Sequence, residues 1–195
     1  MREIFSWMLG AGMALGLCHT VAGQDRPHIE DLFAQLDNGM SQESAPAYAE
    51  LITLAREDSD SYDYIAERLT ALISHSDGKL FLALNAVQMA GELRVAKTIP
   101  ILTELLRRDH QSGPIRLGMA SHLYDDPVAK ALTLICEPAT DSVAGLFENG
   151  DPATRRRAAI VLSNIGTPRA RQALLSQIDK EPDPKLKAFI QSKVN

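Results

Sequence analysis

Proline follows a capping residue at nearly regular intervals in the C-terminal half of this chain. Proline is favoured at the first position of a helix, and an Asp or Thr just before it can cap the free backbone amides, so each such pair predicts a helix start. The pairs are Asp126-Pro127, Glu137-Pro138, Asp151-Pro152, Thr167-Pro168 and Asp183-Pro184, with Glu the weakest cap. The spans 137–167 and 151–183 are each about 30 residues long, and each holds two helices and two turns. This spacing indicates an internal repeat of helix pairs.

Comparison of the sequence with itself supports the repeat. When the chain is aligned with itself at an offset of 30, Ala129 meets Ala159, Leu132 meets Leu162, Ile135 meets Ile165, and Cys136 meets Gly166. At an offset of 72, Ala86 meets Ala158, Leu93 meets Ile165, Leu102 meets Leu174, and Leu106 meets Ile178. The offset between the first and middle units is therefore 42, which places the extra length in the connection around residues 110–125.

Apolar residues recur with a helical period outside these units as well. Ile29, Leu32, Phe33 and Leu36 fall at positions i, i+3, i+4 and i+7, which puts them on one face of a helix. No stretch alternates with period two for long enough to predict a strand, and only 5% of the residues are aromatic. We therefore predict an all-α chain. One helix pair has a single apolar seam, so it becomes stable only when its neighbours stack on it.

The run from Asp151 to Ala170, DPATRRRAAIVLSNIGTPRA, resembles a HEAT-type helical repeat. Its length is similar to that of the short subclass first described in phycobiliprotein lyases. The resemblance implies a right-handed α-solenoid of stacked antiparallel helix pairs, a HEAT/armadillo-like superhelix. It also implies packing roles for Ala159, Leu162, Ile165 and Leu174, with Gly166-Thr167-Pro168 forming the turn inside the pair.

The resemblance covers about residues 79–195, and the chain departs from the usual pattern at three places. Ser163 stands where Gly is common, Thr167 where Asp is common, and Cys136 where the turn Gly is expected. We predict three segments: a signal peptide at 1–23, degenerate capping helices at 24–78, and HEAT-like repeats at 79–195.

The N-terminus resembles a secretory signal peptide. An apolar core of about 14 residues runs from Ile4 to Leu17, shorter than the roughly 20 that a spanning helix needs, and small residues follow at 21–23. We expect cleavage after Gly23 and export to the periplasm or the medium. An uncleaved membrane anchor and a lipid-anchored Cys18 are the alternatives. After cleavage Cys136 is the only cysteine, so no internal disulfide can form.

Residues that could carry chemistry are few. Cys136 and His122, near Asp125 and Asp126, could form a nucleophilic pair. His110 and His122, with Asp125 or Asp126, could hold a metal. A helix C-terminus disfavours a thiolate at Cys136, and a solvated loop accounts for the histidines. Phosphate-binding loops, nucleophile elbows and HExxH motifs are absent from the sequence. We predict no catalytic residues, no metal site and no cofactor.

Charge and an insertion mark the candidate binding residues. Residues 24–150 carry 10 basic and 20 acidic side chains, whereas residues 151–195 carry 9 and 4. Arg155, Arg156, Arg169 and Arg171 would open two neighbouring helices and share a basic edge that attracts an acidic partner. Pairing within the chain, with acids such as Asp141 or Glu148, is the alternative.

The insertion adds three apolar candidates, Ile115, Leu117 and Tyr124, which either contact a partner or fold back over the core. The sequence therefore predicts a non-enzymatic extracytoplasmic scaffold that mediates protein–protein interaction. The alternative is a lyase-like or small-ligand-binding protein that uses residues 110–136. The expected partner is a protein or peptide, an acidic one if the basic edge is the contact. Nucleic acid is not expected, and membrane contact only if the N-terminal segment stays uncleaved.

Overall fold

Capping side chains begin several helices at the predicted places. A computed structural model of the chain describes residues 26–37, 44–75, 80–108 and 126–194. In these ranges Asp126 accepts hydrogen bonds from the amides of residues 128 and 129, and Asp151 accepts one from the amide of Thr154 at 2.8 Å. Thr167 caps the next helix in the same way, through the amide of Ala170 at 3.3 Å. The predicted starts after Asp126, Asp151 and Thr167 are confirmed.

The described ranges are helical and contain no strand. The helices are α1 (Arg26–Asp37), α2 (Ser44–Glu57), α3 (Ser59–Ser74), α4 (Leu80–Glu92), α5 (Ile99–Arg108), α6 (Pro127–Ile135), α7 (Thr140–Ala144), α8 (Leu146–Asn149), α9 (Pro152–Ile165), α10 (Pro168–Ile178) and α11 (Pro184–Val194). Short 3₁₀ turns at Ala96–Thr98 and Glu137–Ala139 precede α5 and α7. None of the helices in the described ranges has the length and apolar character needed to span a bilayer.

The pair Glu137-Pro138 does not behave as predicted. Glu137 is the first residue of a 3₁₀ turn rather than a capping residue, and Cys136 precedes that turn without a side-chain cap. α7 begins only at Thr140, again without a side-chain cap. A glutamate side chain is too long to fold back onto the next amides as readily as Asp or Thr does, so the prediction of a capped start here was wrong.

A positive φ angle recurs at the repeat spacing. Positive φ angles occur at Arg94 (54°), Cys136 (71°) and Gly166 (66°), and no other described residue has one. The separations between these residues are the same offsets at which the sequence matches itself. Cys136 and Gly166 are also the C-terminal caps of α6 and α9. The two residues share a positive φ, but their ψ angles differ, at −132° for Cys136 and 5° for Gly166, so only the position of the turn recurs and not its full geometry.

The helices stack in two rows. In one row α4 packs on α6, α6 on α9 and α9 on α11, while in the other α5 packs on α7 and α7 on α10. α1, α2 and α3 pack on one another and on α4, and they share one continuous hydrophobic core with the rest. The predicted apolar face of α1 is confirmed, because Ile29, Leu32, Phe33 and Leu36 are all buried.

The helices α4 and α6 approach each other closely at Gly91. A Cβ atom placed on Gly91 would lie 2.7 Å from the Cα atom of Ala131, nearer than side chains approach a backbone. Small residues at this crossing let the two helices touch backbone to backbone. The predicted packing residues Ala159, Leu162, Ile165 and Leu174 are all buried.

Candidate functional site

The arginine run at the start of α9 sends its three side chains to different partners, because successive residues of a helix point about 100° apart. Arg155 forms a bidentate ion pair with Glu181 in the turn before α11, with Nε–Oε2 at 3.0 Å and Nη2–Oε1 at 2.9 Å. Its Nη1 atom donates to the carbonyl of Gly150 at 2.9 Å. The Arg155 guanidinium therefore already binds groups of the same chain.

The Arg155–Glu181 pair is largely hidden from solvent: the side chains are 12% and 0% exposed. Burial opposes ionisation of Glu181, but hydrogen bonds from Arg155 and from the backbone amide of Asp183 outweigh it, so its pKa lies below the ordinary value. The hydrogen bonds to Glu181 likewise raise the pKa of Arg155. Both groups stay charged at neutral pH and hold α9 to the turn that leads into α11.

Arg157 is buried and joins three elements. It forms an ion pair with Asp126, the cap of α6, and donates from Nη1 to the carbonyl of Leu106 near the end of α5 at 2.6 Å. This side chain was not among the predicted site residues, and its role here is structural. The sequence contained one indication of this ion pair: Asp126, predicted as a helix cap, also carries a negative charge that an arginine can neutralise.

Arg169 and Arg171 open α10 but point to different elements. Arg169 pairs with Asp141 of α7 at the exposed surface, as the alternative of pairing within the chain predicts. Arg171 donates from Nη2 to the carbonyl of Val194 at the end of α11. The predicted basic edge is therefore divided: Arg169 faces α7, whereas Arg155 and Arg171 contact α11 or the turn before it.

Arg156 differs from its neighbours. Its guanidinium carbon lies 5.4 Å from the ring centroid of Phe189 on α11, and the Lys193 ammonium nitrogen lies 5.4 Å from the same centroid. Arg156 and Lys193 are exposed and Phe189 is half-buried. Neither cation has a carboxylate within ion-pair distance among the described residues.

A cleft of about 560 Å³ lies between α7–α8 and α10. Its walls are Asp141, Ala144, Gly145, Phe147 and Glu148 on one side and Ala173, Ser176, Gln177, Lys180 and Pro182 on the other, with Arg155 between them. Small residues and Phe147 supply apolar surface, while Glu148 and Lys180 bring opposite charges to the walls. Such a mixed surface suits a peptide segment. The sequence did not predict this cleft, because its walls meet only through packing of α7, α8 and α10.

The other predicted residues lie outside the described ranges or stand apart. Ile115, Leu117 and Tyr124 fall in residues 109–125, as do His110 and His122, and so lie outside the described residues. Cys136 is a half-buried free thiol at the end of α6. No group of three or more His, Cys, Asp or Glu in the described part of the chain is placed to hold a metal ion.

Comparison with known proteins supports the repeat assignment for part of the chain. Residues 127–192 match the family model for HEAT repeats. This region spans α6 to most of α11, so it contains the cleft and all four predicted arginines. No curated protein and no solved structure matches the chain. The match supports a HEAT repeat protein, while the resemblance to the lyase subclass stays a prediction.

Proposed function

We propose that this protein is a non-enzymatic scaffold that binds a protein or peptide partner. The observation that carries the proposal is the stack of helix pairs in residues 127–192, the region that matches HEAT repeats, which commonly mediate protein–protein interaction. In this proposal the pairs are antiparallel and form a right-handed superhelix. Binding uses a preformed surface, so little conformational entropy is lost when the partner docks.

The contact surface is the cleft between α7–α8 and α10. Ala144, Gly145 and Ala173 leave room for an extended backbone, and Phe147 offers an apolar contact. Glu148 and Lys180 stand on opposite walls, so the cleft selects a segment that carries both a basic and an acidic or polar side chain.

The test is crosslinking and pull-down from the native compartment with a variant that fills the cleft. Ser176→Tyr places a ring in the cleft, and Ser74→Tyr is the matched control on α3. Both serines are exposed and donate to a carbonyl of the preceding turn, at 2.8 and 2.7 Å. A partner captured by the native chain and by Ser74→Tyr should be lost with Ser176→Tyr. Equal capture by both variants would contradict the cleft as the contact surface.

We also propose export by a cleaved signal peptide. Cell fractionation followed by N-terminal sequencing of the mature chain should give a start at Gln24 in the periplasm or the medium. A start at Cys18 would indicate a lipid anchor, and an uncleaved start in the membrane fraction would indicate a membrane anchor.

The competing function is a lyase-like or small-ligand-binding protein that uses residues 110–136. Cys136→Ser and His122→Ala separate it from the scaffold. If the scaffold proposal is right, both variants keep partner capture. If a ligand-binding or catalytic activity is found and either variant loses it while circular dichroism stays unchanged, the alternative is the better account.

A further inference from the structure

The C-terminal end of the stack carries a cation–aromatic surface, defined here as Arg156, Lys185, Phe189 and Lys193. Residues 185, 189 and 193 are spaced by four on α11 and so lie along one side of the helix. Arg156 approaches the Phe189 ring from α9, and Lys193 approaches it from one turn further along α11. Arg156, Lys185 and Lys193 are exposed.

This surface has positive charge that the described part of the chain does not neutralise. Arg155, Arg157 and Arg169 each have a carboxylate partner, whereas no carboxylate lies within ion-pair distance of Arg156 or Lys193 in the described residues. Two cations held near one ring repel each other. A bound anion would remove that repulsion, and the ring beneath would give its carbon chain an apolar contact.

We propose that this surface docks an acidic peptide segment of the partner protein. Charge complementarity favours that occupant: carboxylates would pair with Arg156 and Lys193, and the methylene groups of Glu side chains would rest on Phe189. The proposal rests on the scaffold function above and adds the chemistry of a second contact, separate from the cleft.

The packing of α11 argues against a lipid surface as the occupant. A helix that binds a bilayer lays an apolar face into it, but Leu186, Ile190 and Val194 of α11 are buried against the rest of the protein. Phe189 is the one aromatic residue among the four that define this surface, and it is half-buried. The excess of acidic residues in 24–150 also opposes a long polyanion that would run along the molecule.

The test measures binding of a labelled twelve-residue peptide of alternating Glu and Gly by fluorescence anisotropy. The same peptide with Gln in place of Glu is the uncharged control probe. The double variant R156Q/K193Q is compared with R169Q/K97Q, which removes the same number of charges from exposed cations that already pair with Asp141 and Glu67. Thermal unfolding of each variant is recorded in parallel.

The expected result is preference for the Glu peptide, a Kd about tenfold weaker for R156Q/K193Q, and a change under about twofold for R169Q/K97Q. Binding should weaken from about 0.1 to 1 M salt, because the paired charges are exposed. Lys193→Glu alone, at an exposed position, should weaken binding at least as much as the double variant. If the double variant does not fold, this single variant tests the inference in its place.

Three outcomes of the peptide and unfolding measurements would overturn the inference. They are equal losses in both double variants, equal binding of the two peptides, and a lower unfolding temperature for R156Q/K193Q with unchanged Kd, which would make the cations purely structural. Binding of phosphatidylglycerol vesicles without binding of the Glu peptide would also overturn it, in favour of a lipid surface. Ser176→Tyr should leave the Kd of the Glu peptide unchanged, so a failure of the cleft and a failure of this surface are distinguishable.

Discussion

At the scale of single residues, the repeat is visible in the φ angles of the backbone. Arg94, Cys136 and Gly166 adopt positive φ at equivalent places in three units, yet only one of them is the glycine that tolerates it without strain. A residue other than glycine held at such a φ costs about 1 to 3 kcal/mol. The stack therefore holds two turns in a geometry that their own residues disfavour.

Cys136 offers the clearest test of that strain, because its φ of 71° and ψ of −132° suit glycine. Cys136→Gly should raise the free energy of unfolding by about 1 kcal/mol, since the relieved strain exceeds the added freedom of the unfolded chain. Gly166→Ala, at φ 66°, should lower it by about 1 kcal/mol. Urea unfolding followed by circular dichroism measures both, and a loss of stability in Cys136→Gly would contradict the account.

At Gly91 the constraint is the lack of room for a side chain, not the backbone φ angle. Gly91→Ala should lower the free energy of unfolding by about 2 kcal/mol, because its new Cβ would lie 2.7 Å from the backbone of Ala131 and push α4 away from α6. Gly145→Ala is the matched control, as the nearest atom to its Cβ would be 3.5 Å away. Because Gly145 is exposed and has helical φ and ψ, the control should keep stability or raise it by up to about 1 kcal/mol. Similar losses in both variants would rule out the close approach as the cause.

At the scale of elements, most helix starts could be predicted from the sequence, whereas only one of the charge partners, Asp141 for Arg169, could. Asp126, Asp151 and Thr167 cap through amides two or three residues away, so local sequence contains all that the interaction needs. Arg155 instead meets Glu181, 26 residues later, and Arg171 meets the carbonyl of Val194, 23 residues later. Only the packing of α9 and α10 on α11 brings these groups together.

The arginines contact different elements for the same reason, because packing determines their partners. Their common position at the starts of α9 and α10 suggested one basic edge, but side-chain direction within a helix depends on each residue's place in the turn. The cleft was missed for a related reason, because its walls come from α7, α8 and α10 and no local motif joins them.

The Arg155–Glu181 pair gives the link between α9 and α11 a pH dependence. Because the pKa of Glu181 is lowered in the folded chain, the unfolded chain binds its proton more readily. The pair therefore contributes stability above the unfolded pKa of about 4.5, and this contribution is lost as the pH falls through the lower folded pKa. Acid should loosen α11 before it affects helices held by apolar contacts alone.

Glu181→Gln tests this link. It should lower the free energy of unfolding at pH 7 by about 3 kcal/mol, since it leaves the buried Arg155 guanidinium without its counter-charge, and should flatten the fall in stability below pH 4.5. Glu67→Gln, which breaks an exposed pair with Lys97, should cost less than about 0.5 kcal/mol. Denaturant unfolding from pH 3 to 7 measures both, and an unchanged acid dependence in Glu181→Gln would contradict the prediction.

At the scale of the whole molecule, stability depends on neighbours. α9 packs on α6, α7, α8, α10 and α11, whereas α1 and α11 lie at the two ends of the stack. In such an array the stability of each unit is the sum of its own contribution and those of its adjacent interfaces, so end units open more often than interior ones. A molecule built this way has a more rigid middle and more dynamic ends.

Hydrogen exchange read by mass spectrometry tests this gradient. Amide protection should be highest in α6 and α9 and should fall toward α1 and α11, because helices at the ends of the stack have neighbours on one side only and lose fewer contacts when they open. Leu132→Ala, a fully buried position on α6, should cost about 3 kcal/mol and should speed exchange most in α4 and α9, which flank α6. Ala34→Gly, at an exposed position on α1, controls for local helix weakening and should speed exchange only in α1. Equal acceleration of all helices in Leu132→Ala would show that the chain opens as a single cooperative unit and would contradict a stack governed by adjacent interfaces.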